Sequence, residues 1–223
     1  MRVLVACECT GAVRDAFIAA GADAWSCDLK PTEAPGPHIQ GDALKAIRWG
    51  WDLMICHPEC RYLSSSGLFR NIGNPERQQK TEEALAFAMA LWEAPIPFIA
   101  MENPVGRLGT TIGRAQQTVQ PYQFGHDASK RTCLWLKGLP PLRVNPADRV
   151  AGRLVAKIDG KWQAYAGEGK PVERWENQTD SGQNRLPPSE DRSAKRAATY
   201  ANIAAAMARD WIPAVAGQLR LAA

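Results

Sequence analysis

Nowhere in its 223 residues does this chain hold an apolar run approaching the ~20 residues that a membrane-spanning helix requires. A signal-peptide cleavage site is also missing: Met1-Arg2-Val3-Leu4-Val5 goes directly into a strand-like pattern, so a cytoplasmic protein is expected. There are no paired C-x2-C knuckles. Cys7 and Cys9 are spaced C-x-C, Cys56 and Cys60 C-x3-C, and three of the cysteines lie in strand-like runs; even with His57 nearby, no metal is expected. In a cytosolic chain all six cysteines should be reduced. No internal repeat is visible, and the alanine runs read as helix filler.

What is present fits one α/β domain with a modest insertion. The chain is too short for two full-sized domains, 45% hydrophobic residues support a real core, and 22% charged residues support a soluble one. A net charge of +4, with an isoelectric point near 8.8, permits nucleic-acid binding without establishing it.

Arg2 to Ala6 reads as a central strand, Cys7-Glu8-Cys9-Thr10-Gly11 as the turn after it, and Val13 to Ala20 as a helix closed by Gly21. A second strand, Ala22 to Cys27, ends at Asp28. Strand, glycine-containing turn, helix, strand and acid open a nucleotide-binding α/β unit, in which the acid takes ribose hydroxyls. With one glycine in the turn, a plain βαβ unit fits equally well. Lys30 to Gln40 is proline-rich loop. Asp42 either reaches a ligand at the sheet's edge or caps a helix from Ala43 to Trp49.

Two later stretches carry the chemistry. Leu53 to Ile55 is a short apolar run of the kind a buried parallel strand shows, and after Cys56-His57-Pro58-Glu59 it delivers Cys60 into a serine- and glycine-rich loop. A thiolate just past a strand end sits where open α/β sheets bind ligands and can attack an electrophilic carbon. Phe98-Ile99-Ala100-Met101 likewise runs into Glu102-Asn103-Pro104, a second buried strand ending in a carboxylate. A nucleophile and an acid at two strand ends suit activation of a ring toward substitution. The bland alternatives are an inert Cys60 and a surface or capping Glu102; His57 either assists the thiol or caps the strand.

Around these stretches, Arg61 to Lys80 reads as a polar loop and Thr81 to Trp92 as a helix. Gln117 to Phe124 and Thr132 to Leu136 read as strands. Lys137 to Pro188 is cut by Pro and Gly into short segments rich in Arg, Lys and Trp. It is either a nucleic-acid-binding segment or a solvated flap whose tryptophans, Trp162 and Trp175, pack onto the main domain. Ser193 to Leu219 is mostly helix, bent or divided at Pro213. The expected organisation is therefore a catalytic α/β domain over 1–136, a small insertion over 137–190 and a C-terminal helix over 191–223 packing back on the catalytic domain.

In order, these motifs resemble the DNA cytosine-5 methyltransferases, particularly short phage- or prophage-type members. Cys9-Thr10-Gly11 resembles their first motif, Asp28 the ribose acid, Gly41-Asp42 the Gly-Asp near the adenine and Asp52 through Ser64 the Pro-Cys motif. Glu102-Asn103-Pro104 is similar to their Glu-Asn-Val, Lys130-Arg131 to the end of their Gln-x-Arg-x-Arg, and Tyr200-Ala201-Asn202-Ile203 to their last motif. The likeness covers nearly the whole chain apart from 137–188.

The resemblance implies a Rossmann-like S-adenosylmethionine-dependent methyltransferase fold, with a mostly parallel sheet, helices on both faces and a small irregular insertion. It implies methylation of cytosine C5 in DNA. Cys60 would add to C6, Glu102 would bond the N3 and N4 edge, and Arg131 would hold the O2 side. S-adenosyl-L-methionine would lie against Cys9, Thr10, Gly11, Asp28, Asp42, Pro58 and Asn202. The partner would be DNA with the cytosine extruded.

This chain departs from the family at several points. Val13 and Arg14 stand where further glycines are usual, and Glu59 precedes the nucleophile in place of proline. Asp127 and Ser129 replace Gln and the first Arg, and Pro104 replaces Val. The small recognition segment keeps open the same chemistry on a free pyrimidine nucleotide or a modified base, and a catalytically silent nucleic-acid-binding homologue. An amino-methyltransferase is disfavoured, because His57-Pro58-Glu59-Cys60 lacks the Asp/Asn and the aromatic of their Asp/Asn-Pro-Pro-aromatic motif.

Overall fold

Apolar runs too short for helices assemble into one sheet. In the computed structural model, which describes residues 1–189 and 192–222, seven strands form. They are β1 (Arg2–Ala6), β2 (Asp23–Asp28), β3 (His38–Gln40), β4 (Leu53–Cys56), β5 (Phe98–Asn103), β6 (Gln117–Val119) and β7 (Thr132–Lys137), in the order β3-β2-β1-β4-β5-β7-β6. The first five strands of that order run parallel, and β7 returns antiparallel beside β5. The fold is Rossmann-like α/β. The chain steps outward from β1 to β3 and then returns to β4 on the other side of β1. Sheets with such a reversal take ligands outside the carboxyl ends of the strands that flank it, here β1 and β4.

Seven helices accompany the strands: α1 (Ala12–Ala19), α2 (Ala43–Ala46), α3 (Ser65–Leu68), α4 (Pro75–Trp92), α5 (Leu108–Thr111), α6 (Arg192–Ala197) and α7 (Ala201–Ala222). Because side chains alternate along a strand, each central strand feeds two faces. Leu4, Met54 and Ile99, in register across β1, β4 and β5, pack with Ala43 and Ala46 of α2 and Leu85, Ala88 and Leu91 of α4. Val3, Val5, Leu53 and Ile55 point the other way and are as fully buried, as are Val13 and Phe17 of α1. Burial on both faces explains why these strands read as continuous apolar runs.

Several elements differ from the sequence reading: His38–Gln40, expected as loop, is β3, Ser65–Leu68 of the expected polar loop is α3, and the helix expected over 193–219 is interrupted before Ala201. Helix α4 begins at Pro75 rather than Thr81. Asn74 accepts the Arg77 N–H at 3.0 Å and proline suits the first helical position, but residues 75–80 are too polar to show apolar spacing. Strand β6 stops at Val119, because Pro121 and a reciprocal Gln120–Gln123 cap turn Pro121–Phe124 into a 3-10 turn. Helix α7 runs through Pro213. The proline forfeits one backbone bond, and the burial of Trp211 and Val215 beside it offsets that loss.

The chain forms two compact units. One comprises Met1–Thr118, Arg131–Arg143 and Ala204–Ala223; the other comprises Val119–Lys130 and Val144–Ile203. The boundary expected at 190/191 falls on residues outside the described ones. In the second unit, β8 (Arg153–Ile158), β9 (Lys161–Ala164) and β10 (Val172–Arg174) make an antiparallel sheet in the order β10-β8-β9. Trp175 is buried there, stacked on Tyr122 with ring centroids 3.9 Å apart, while Trp162 lies under the Arg174 guanidinium.

Candidate active site

Cys60 and Glu102 come from the carboxyl ends of neighbouring parallel strands, with Cys56 of β4 in register with Met101 of β5. After β4 the chain makes one more ladder bond, His57 N–H to Ala6 O at 3.0 Å, and then breaks at buried Pro58. The turn at Cys60 is tight: its carbonyl accepts both the Leu63 and Ser64 N–H groups, at 3.1 and 2.9 Å. Glu59 is exposed and Cys60 half-buried.

The loop carrying the thiol is fastened to the loop that follows β5. Ser65 N–H donates to Val105 O at 2.8 Å and Arg107 N–H to Leu63 O at 2.8 Å, with Ser64 opposite Gly106 as an antiparallel bridge. A Cβ at Gly106 would sit 1.9 Å from Leu63 O, so only glycine permits this approach. Asn103, 1% exposed, donates from Nδ2 to Pro58 O at 2.7 Å and ties the end of β5 to the same turn. Glu102 itself meets His57, with Nδ1 to Oε2 at 3.2 Å and both side chains about seven-eighths buried.

Arg131 lies at the same edge of the sheet. It precedes β7, whose Cys133 pairs with Asn103 of β5, and its side chain is exposed.

Of the residues expected around a cofactor, Cys9, Thr10 and Gly11 follow β1, Asp28 ends β2, Asp42 precedes α2 and Pro58 follows β4. Cys7 takes a left-handed φ of 61°, and Gly11, φ 79°, starts α1. Burial, with Asp28, Cys27 and Asp42 beside it, pushes the Cys7 thiol far up. Burial together with Asp28 and Asp42 pushes Cys27 up to about 11. Cys56 is raised by complete burial, and Cys9 by partial burial and its bond to Glu33. These four thiols are therefore poor sources of thiolate. Asp28 accepts the Lys30 N–H through Oδ1 at 2.9 Å, and Asp42 caps α2 by accepting the Leu44 N–H at 2.9 Å. The Thr10 hydroxyl donates to Glu8 Oε1 at 3.3 Å. Asn202 belongs to the second unit, where Nδ2 donates to Phe124 O at 2.7 Å and its N–H to His126 Nε2 at 3.3 Å.

The structure adds residues the sequence reading did not select. Glu8, 6% exposed, accepts the Val13 N–H at 2.8 Å and the Arg14 N–H at 3.2 Å and so caps α1 with a carboxylate. Arg14 is fully buried and bonds Asp15, Ser26, Thr32 and the carbonyls of Ala34 and Pro35. Neither contact follows a local capping pattern; only the unusual placement of charge in a turn beside a strand hinted at them. His57 and Asn103 were adjacent to the selected residues, and their partners lie 45 positions away. Among the described residues, no group of three or more His, Cys, Asp or Glu side chains is arranged to hold a metal ion.

No family profile and no curated protein matches the chain. Among solved structures, it is similar to a prophage-encoded protein of E. coli described as a DNA modification methyltransferase, at 14% identity and TM-score 0.39, over 61% of this chain and 46% of that one. It is also similar to the Entamoeba histolytica methyltransferase EhMeth, at 13% identity and TM-score 0.44, over 68% and 58%. The chain thus spans about half the length of these solved structures.

Proposed function

We propose that this protein is an S-adenosylmethionine-dependent methyltransferase that modifies cytosine at C5 in DNA. The observation that carries the reading is the placement of Cys60 just after β4 and Glu102 at the end of β5, with the loops that follow these two strands fastened to each other, beside the reversal of a β3-β2-β1-β4-β5-β7-β6 sheet.

The choice of cofactor rests on charge. A helix N-terminus at this point of a dinucleotide fold binds pyrophosphate through its N–H groups. Here the Glu8 carboxylate already takes two of those donors, and Asp28 and Asp42 lie close by. That acidic setting disfavours a phosphate and suits a cationic adenosyl cofactor, with Asp28 toward the ribose and Asp42 toward the base. When bound, the cofactor supplies an activated methyl group.

The chain's own residues do the rest. The Cys60 thiolate forms a bond to C6 and pushes electron density onto C5. Glu102 supports the charge that develops along the N3 and N4 edge, and Arg131 steadies the ring from the O2 side. Once C5 carries the methyl group and has given its proton to a base, the C6–S bond breaks and the thiolate leaves.

The test is mass spectrometry of nucleosides after incubating the protein with labelled S-adenosylmethionine and DNA, with free dCMP in a parallel tube. Label in 5-methylcytosine from DNA supports the reading; label in dCMP alone moves the same chemistry to a free nucleotide. DNA containing 5-fluorocytosine should cross-link to the wild type, and Cys60→Ala should abolish the adduct while still binding cofactor. A Cys60→Ala protein that retains methyl transfer would show the covalent route to be wrong.

A further inference from the structure

The bond between His57 and Glu102 joins two mostly buried groups from different strands, and its geometry limits how the proton is shared. With Glu102 as the carboxylate, which has no hydrogen to give, Nδ1 is the donor across the 3.2 Å contact. Nε2 is buried and has no partner among the described residues. A cationic ring would leave a charged N–H there without an acceptor, which costs more than burying a lone pair. A ring that carries its hydrogen on Nδ1 and its lone pair on Nε2 answers both constraints.

Both members stand on rigid backbone. The His57 N–H continues the β4 ladder onto Ala6 O, and Pro58 restricts His57 to extended conformations. Glu102 lies inside β5, in register with Leu134 of β7. Left alone, a glutamate has three side-chain torsions to settle. A ring donor fixed to the neighbouring strand removes that freedom before any substrate arrives.

We propose that His57 is the positioning residue for Glu102. By donating Nδ1–H to Oε2 it holds the carboxylate in the orientation that meets the pyrimidine edge, and without it the thiol and the acid no longer act on the ring together. This role rests on the reaction proposed above.

Two variants separate positioning from packing. Asparagine at 57 places an N–H close to where Nδ1 stands but leaves much of the ring's volume empty. Phenylalanine fills the volume and cannot donate. If His57 positions Glu102, His57→Phe lowers kcat about 100-fold with KM nearly unchanged, and His57→Asn recovers most of that loss. If the ring merely packs, the order reverses and Phe is the better substitute, which would overturn the proposal. Cofactor binding by calorimetry checks that both variants are folded.

A spectroscopic readout works without turnover. The chain has three histidines, so the nitrogen resonances of His57 are identified by their loss in His57→Asn. In the wild type we expect hydrogen on Nδ1 and a lone pair on Nε2. In Glu102→Ala the Nε2–H form, which histidine otherwise prefers, should appear. A wild-type ring already in the Nε2–H form overturns the proposal. A wild type with the Nδ1–H ring that forms no 5-fluorocytosine adduct and transfers no methyl group overturns the reaction, and the tautomer still reports the lock separately.

Discussion

Arg14 shows how one residue can change the meaning of a motif. In sequence it stands where a glycine-rich turn would approach a cofactor. In the structure its guanidinium is fully buried and fastens the 30–40 loop through Thr32, Ala34 and Pro35. Gly11 and Gly36 leave the space it needs: a Cβ at either would come within 2.9 Å of the guanidinium. Glu8 then satisfies the helix donors that the missing glycines would have offered to a ligand. Replacing Arg14 by Met keeps much of the volume but strands several buried acceptors. It should destabilise the protein by about 3 kcal/mol, read as a lower urea midpoint at unchanged slope. These contacts were not legible in the sequence, because a buried arginine and an exposed one have the same local signature.

At the scale of elements, the central strands were legible while β3 and several ends were not. Leu53 to Ile55 and Phe98 to Met101 announced themselves as buried runs, and the proposed site follows from where these parallel strands end. Helix α4 hid its first turn because that turn is polar, and β6 lost its second half to Pro121. The anchoring of α7 was hidden as well. Asp210, with its side chain 2% exposed, accepts the Arg143 backbone N–H at 2.7 Å and the guanidinium groups of Arg143 and Arg209. Burial alone would raise its pKa, but the bonds from Arg209 and Arg143 outweigh that and hold it at about 2. A carboxyl depressed in the folded state stabilises fully above its unfolded value, near 4, and loses that contribution as pH falls toward 2. The stability it lends, about 2 kcal/mol, should disappear across that window. Asp210→Asn should lower stability at neutral pH and flatten the acid limb of the unfolding profile.

At the scale of the molecule, a net charge of +4 is small, so the DNA binding proposed above should depend on a few well-placed cations rather than a broad field. Methyl transfer to DNA should then weaken at least about tenfold between about 50 and about 200 mM salt, through displacement of phosphate contacts. Transfer to dCMP, with one phosphate, should change far less. Equal salt sensitivity in the two assays would argue that DNA is not the substrate.

The division of labour between sequence and tertiary structure follows from range. Strand identity, the thiol after one strand and the acid after another are set by neighbours a few residues apart, and the chain alone determined them. Only tertiary structure could bring His57 to Glu102, Asn103 to Pro58 and Gly106 against Leu63. Each of those contacts spans more than forty residues and depends on the register in which β4 and β5 pair.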